Sequence, residues 1–267
     1  MSLTVLGCAG TFPGPDSPCS GYLVEHDGFR LVLDLGAGAL GALQRHVDLL
    51  DVDAVYVSHL HADHCIDLVA YSYARRYHPD GVPPQLPVYG PAGTQKRICD
   101  SFEAPPHDGL IEVYDFREVG PGSLQIGPFA VTTVRTNHPI ECHALRLEAG
   151  GRSLVYSGDT GECDDLVELA RDCDLLLCEA SWTDRPANPP GIHLSGRQAG
   201  EHAARAAARS LLLTHLVAWA DPAEVLAEAK AAYDGRVEMV GCGATYDLSA
   251  TDDVGAAHGI ETVGPVN

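Results

Sequence analysis

Apolar and polar positions along the chain alternate between short β-type runs and longer amphipathic ones. LTVLG (3–7), YLVEH (22–26) and RLVLDLG (30–36) are compact apolar runs with polar or glycine ends and read as strands, with a Gly/Pro-rich loop at 10–21 between the first two. Residues 38–47 carry a helical pattern, and VDAVYVS (52–58) is a further short strand. A helix is expected over about 66–77, then a Pro-rich link, the strand PVYG (87–90) and a helix near 92–101. A β-rich stretch follows through VYDFREV, SLQI, FAVTTVRT and HALRLEA to SLVYSGD (153–159). The remainder predicts helix 162–171, strand DLLLCEA (174–180), loop 182–194, helix 195–208, strand SLLLTH (210–215), helix 222–232 and strand RVEMV (236–240). Strand-rich stretches interleaved with helices, with no linker and no short repeat, predict an α/β chain. Its two sheets pack face to face with helices outside, a four-layer αββα arrangement in one domain over 1–267.

Composition narrows the function classes. No stretch approaches the roughly 18 apolar residues of a membrane-spanning helix. The start MSLTVLGCAG lacks the basic and apolar regions of a signal peptide, so no membrane association and a cytoplasmic location are expected. Nine cysteines, an odd number without any CxxC pair, argue against both a disulfide framework and a thiolate zinc knot. A formal charge of −20 repels polyanions, and Arg75-Arg76 and Lys96-Arg97 are short basic runs, so no long nucleic acid is expected as a partner. A small anion held through metal ions is compatible with that charge.

The candidate chemistry starts at SHLHADH (58–64). A strand ending in His-x-His turns both imidazoles to one side, so His59 and His61 can grip one ion together. Asp63 and His64, on the next turn, must face elsewhere and can serve a second ion. Imidazole with carboxylate suits Zn²⁺, with Mn²⁺ or Fe²⁺ as alternatives. Four ligands are too few for two ions. His138 in TNHP, Asp159 in YSGDTG and His215 in LLLTH, each at a predicted strand end, are the further candidates. Two ions about 3.5–4 Å apart can present a shared hydroxide and stabilise both entering and leaving oxygens, with no Ser or Cys nucleophile required. Cys65, directly after the motif, therefore reads as a structural thiol. No GxxxxGK[ST] supports nucleoside triphosphate binding.

HxHxDH, a later single His, an SGDT-type Asp and a final His resemble the metallo-β-lactamase-fold hydrolases. That resemblance implies His59, His61 and His138 on one ion, Asp63, His64 and His215 on the other, and Asp159 bridging. His143 rivals His138 for the third place; His138 is preferred because NHP ends a strand whereas His143 lies inside the next. Such a metal set serves β-lactam, thioester, lactone and phosphodiester hydrolysis alike. DLLLCEASW and GIHLSG add Glu179 and His193, an arrangement similar to the tRNase Z-like phosphodiesterase branch. There such a His lies near the scissile phosphate and the Glu holds it, so His193, Glu179 and Asp63 are the expected catalytic residues. The interval between His138 and Asp159 holds one hairpin around Gly150-Gly151, leaving no room for a tRNA-grasping arm.

VLGCAGTFPGPDSPCSGYLV, GALGALQRH, SHLHADHCIDL, RRYHP, YSGDTGECDDLVELA, CEASW and HLSG…LLLTH together resemble actinobacterial metallo-β-lactamase-fold cyclic-nucleotide phosphodiesterases. What this implies is a homodimer that hydrolyses a 3′,5′-cyclic nucleotide such as cAMP to its 5′-monophosphate. The alternatives are another hydrolase on the same scaffold (a lactonase, a thioesterase or a broad phosphodiesterase) and a zinc-binding scaffold without turnover. Trp182 and Trp219 each read either as stacking partners for a base or as packing residues.

Overall fold

The computed structural model describes residues 1–103 and 110–248; the end of the single-domain span, 249–267, lies outside the described residues. One seven-stranded sheet contains β1 (Ser2–Gly7), β2 (Gly21–His26), β3 (Phe29–Leu35), β4 (Ala54–Tyr56), β5 (Leu86–Gly90), β6 (Tyr114–Glu118) and β14 (Thr245–Asp247), in the order β14-β1-β2-β3-β4-β5-β6. The other runs β13-β12-β11-β10-β9-β8-β7, from β7 (Gly122–Ile126), β8 (Phe129–Arg135), β9 (His143–Ala149), β10 (Arg152–Tyr156), β11 (Leu175–Glu179), β12 (Ser210–Thr214) and β13 (Arg236–Met239). Both sheets are mixed: β1, β2 and β3 pair antiparallel and β3 to β6 parallel, while β7 to β10 pair antiparallel and β10 to β13 parallel.

The continuous apolar runs are explained by where alternate side chains go. On β3, Leu31 and Leu33 enter the layer between the sheets, whereas Val32 turns outward. On β11, Leu175 and Leu177 point inward and Leu176 and Cys178 outward. A strand covered on both faces needs apolar residues at every position, which is why LLLCE and SLLLT read as unbroken runs. Outward residues of the first sheet pack under α1 (Ala39–Leu43), α2 (Ala62–Cys65), α3 (Asp67–Arg76) and α4 (Thr94–Phe102). Those of the second pack under α5 (Asp164–Leu169), α6 (Gly196–Ala206) and α7 (Pro222–Ala232). The expected αββα sandwich is the observed fold. Among the described residues no helix is long and apolar enough to cross a membrane.

Three local features differ from what the sequence suggests. The helix expected over about 66–77 is α3, but a separate helical turn, α2, precedes it inside the histidine motif, so Asp63 and His64 are helical. The helix at 38–47 closes after Leu43. Strand β14 was not foreseen, because TYD presents a single buried apolar residue, Tyr246, and pairs only at the sheet edge.

Helices α6 and α7 meet through glycine. A Cβ on Gly196 would lie 2.1 Å from the Val225 carbonyl oxygen, and one on Gly200 2.6 Å from that of Ala229. Gly196→Ala should therefore force the helices apart and lower stability by about 1–3 kcal/mol. Urea unfolding checks this, and an unchanged midpoint would refute the close-contact reading.

Candidate metal centre

The candidate metal ligands and Glu179 lie at or just beyond the carboxyl ends of strands, where open α/β sheets place their ligands, and His193 sits in the loop before α6. Chain leaving β4 carries His59 and His61 to α2 with Asp63 and His64; β8 leads to His138, β10 to Asp159, β12 to His215, and β11 ends on Glu179. His59, His61, His138 and Asp159 form one ligand group, and Asp63, His64 and His215 a second, with potential ligand atoms in each within 4.8 Å of one another. His143 joins neither. Its buried ring lies 3.3 Å from the Glu141 carboxylate, so the geometry brings in His138.

Within the first group the His61 Nδ1 lies 3.0 Å from His59 Nε2 and 3.2 Å from His138 Nε2. In the second, His64 Nε2 and His215 Nε2 are 3.2 Å apart, and His215 Nε2 is 3.3 Å from Asp63 Oδ2. Asp159 divides its oxygens between them: Oδ2 is 3.5 Å from His59 Nε2, and Oδ1 is 3.2 Å from His64 Nε2 and 3.4 Å from His215 Nε2. Oδ1 is buried without a hydrogen-bond partner.

The other ring nitrogens show which ones are free to ligate. His64 Nδ1 donates to Asp34 Oδ2 at 2.7 Å, and His138 Nδ1 donates to the Ile192 carbonyl at 3.0 Å. Ser58 Oγ donates to Asp34 Oδ2 and so accepts from His59 Nδ1. Ser181 Oγ donates to Glu179 Oε2 and so accepts from His215 Nδ1. In each of these four rings Nδ1 has an acceptor for its proton and Nε2 faces the centre, the arrangement metal-ligating imidazoles require. Tetrahedral ligands at about 2.0–2.1 Å from zinc stand about 3.3 Å apart, close to the separations within each group. The residues present fit a divalent metal.

Charge in the metal-free protein follows the same geometry. Burial holds His59 well below the ordinary histidine range. Burial also works against His64, but the Asp159 and Asp34 carboxylates outweigh it and hold that ring well above. Metal uptake must therefore expel a proton. Cys65 is structural, as expected: burial pushes its thiol up to about 12, and Sγ donates to the His61 carbonyl.

At the rim, His193 Nδ1 donates to Glu179 Oε1 at 2.9 Å. Glu179 is fully buried and also accepts from Thr160 N–H at 2.6 Å and Leu194 N–H at 3.2 Å. The His193 ring centre lies 5.2 Å from that of His215 and 5.6 Å from that of His138. Burial alone would lower its pKa; the Glu179 charge and hydrogen bond reverse this and raise it to about 9.

Sequence reasoning missed the supports. Asp34 is fully buried and accepts from Ser58 N–H at 2.7 Å and from Tyr156 OH at 2.6 Å besides His64 and Ser58 Oγ. A lone carboxylate inside RLVLDLG was its signal, since a buried charge needs several partners. Ser58 and Ser181 carried no comparable mark.

Residues 18–216 match the family model of the β-lactamase superfamily domain. The chain belongs to the metallo-β-lactamase superfamily. An uncharacterized protein of Mycobacterium leprae is 47% identical over 261 residues, covering 95% of this chain and 91% of that protein. The crystal structure of the metallo-β-lactamase fold protein YhfI from Bacillus subtilis superposes with TM-score 0.81 at 29% identity, over 92% of this chain and 98% of that one. The short form of human tRNase Z shares the fold, with TM-score 0.77 at 20% identity, over 94% and 100% of the two chains. This metallo-β-lactamase-fold chain is a metal-dependent hydrolase, with histidine and aspartate clusters able to hold metal.

Two outcomes are expected. Asp34→Asn should weaken zinc affinity about 10–100-fold, as removal of outer-shell partners does, read by competition with a chromophoric chelator; unchanged affinity would refute the supporting role. In metal-free protein, NMR titration of His193 should give a midpoint near 9, and Glu179→Gln, which keeps the burial but removes the charge, should bring it below the ordinary histidine value of 6.5.

Proposed function

We propose that the protein is a binuclear phosphodiesterase that opens a 3′,5′-cyclic nucleotide such as cAMP to its 5′-monophosphate. The observation that carries the reading is the His193–Glu179 pair, an imidazole hydrogen-bonded to a buried carboxylate beside both ligand groups. An alkoxide is a poor leaving group, and a positioned acid is what phosphodiester cleavage asks of the protein.

His59, His61 and His138 would hold one ion and Asp63, His64 and His215 the second, with one Asp159 oxygen toward each. Zinc suits this donor set, with manganese or iron as alternatives. Bound there, divalent cations supply Lewis-acid stabilisation of developing charge and activation of water. The chain supplies the rest. His193 keeps its Nδ1 proton on Glu179 and gives its Nε2 proton to the departing 3′-oxygen. Asp63, its Oδ2 held by the Thr11 N–H at 2.8 Å, is placed to orient the attacking water.

A small substrate is supported by two features. His138 and Asp159 are joined through β9, the turn at Gly150-Gly151 and β10, with no arm for tRNA, and the formal charge of −20 disfavours a polyanion. The resemblance of the quoted stretches, over nearly the full length, supports the cyclic nucleotide.

Zinc- or manganese-loaded protein should convert cAMP to 5′-AMP and cleave bis(p-nitrophenyl) phosphate, and Asp63→Ala should abolish both. His193→Ala should lower kcat about 10²–10⁴-fold with little change in KM. Cleavage of the model diester alone would remove the cyclic nucleotide. Full activity in His193→Ala, or turnover of lactones or thioesters alone, would refute the phosphodiesterase reading.

A further inference from the structure

The rim of the centre carries an aromatic pair that the chemistry above leaves unused. Phe12 and Trp219 are 44% and 71% exposed, and their ring centroids lie 5.9 Å apart at an interplanar angle of 40°. They come from the two segments laced to the Asp63–His215 side. Gly10 N–H donates to the Leu216 carbonyl at 2.9 Å, and Ala9 bridges Leu216. A Cβ on Gly10 would lie 2.6 Å from the His215 carbonyl oxygen, so only glycine lets the Phe12 segment approach this closely. Between them stands Thr11 at φ 70, a conformation that a β-branched residue adopts only under constraint; its N–H is the one bonded to Asp63 Oδ2. A strained residue tied to a site carboxylate fixes where the next side chain, Phe12, is displayed.

Two large aromatic side chains left in water at the mouth of a hydrolytic centre lose the burial that would stabilise them elsewhere. The chain has only two tryptophans, and both lie here: Trp182 stands edge-on to His193 at 5.2 Å, half-buried, and Trp219 presents the exposed ring. Flat apolar faces beside a phosphoryl-binding centre match a ligand that joins a phosphate to an aromatic ring, and stacking on nucleobases needs no hydrogen-bond code.

We propose that Phe12 and Trp219 form the platform on which the nucleobase of the substrate stacks, making them the residues that select a nucleotide over a baseless phosphodiester. This rests on the phosphodiesterase reading for its substrate, but binding and turnover test the two separately.

Trp182→Phe leaves Trp219 as the single tryptophan reporter. In zinc-loaded protein, 5′-AMP should quench its emission saturably, and ribose 5-phosphate should not. Phe12→Ala should weaken 5′-AMP binding about tenfold, within the range lost when a stacking aromatic is truncated. In the otherwise unchanged protein, Trp219→Ala should raise KM for cAMP by a similar factor at nearly constant kcat, Trp219→Phe should restore it, and a baseless ribose 3′,5′-cyclic phosphate should be indifferent to both. Absence of quenching by 5′-AMP, or equal quenching by ribose 5-phosphate, would overturn the platform. Phenyl phosphate quenching as tightly as 5′-AMP would overturn the nucleobase as its occupant. Saturable quenching without turnover of either cAMP or the model diester would uphold the platform while refuting the phosphodiesterase reading.

Discussion

An imidazole can face a metal site with a bare lone pair only if its other nitrogen carries the proton and has an acceptor for it. His59, His64, His138 and His215 all meet that condition, through Ser58, Asp34, the Ile192 carbonyl and Ser181. Without those acceptors any of these rings could turn an N–H inward and close the site to a cation. Asp34 matters most here, because it takes the His64 proton directly and the His59 proton through Ser58. It comes from β3, and Tyr156 of β10 reaches across the interlayer core to bond it. Tautomer control in the centre thus depends on the packing of one sheet against the other.

Glu179 plays the matching part in the second sheet. One oxygen accepts from His193 and the Thr160 N–H, and the other from Ser181 and the Leu194 N–H. Through Ser181 the same carboxylate orients His215. His193 and His215 are therefore both fixed by one buried charge, itself stabilised by four donors. Its position at the end of a strand buried on both faces gives it the rigidity that such sharing requires.

How much of this was legible depended on whether a feature is local. Strands covered on both faces betrayed themselves as unbroken apolar runs, since every position has a core to enter, and this was enough for the layer order. The two candidate ligand groups were legible because strand-end histidines and aspartates have few bland uses in such density. The α2 turn was not, because its four residues, ADHC, are too few to carry an amphipathic pattern. Choosing His138 over His143 needed only the position of a strand end. Ser58, Ser181 and Thr11 could not be picked out, as each acts through a partner more than twenty residues away or through backbone conformation.

Net charge and site chemistry pull against each other in this chain. A formal charge of −20 repels an anionic diester at long range, and the centre itself adds the carboxylates of Asp63 and Asp159. Under the proposed binuclear reading, two dications against those two carboxylates would leave a local charge of about +2, which would attract a monoanion within roughly the 8–10 Å over which salt permits interaction. Such a field acts only at close range, so it favours a compact ligand that fits wholly inside it over a polymer whose remaining phosphates meet the acidic surface. On the proposed reading, the charge distribution that would admit a small diester would therefore disfavour a long one, and only with the metal in place.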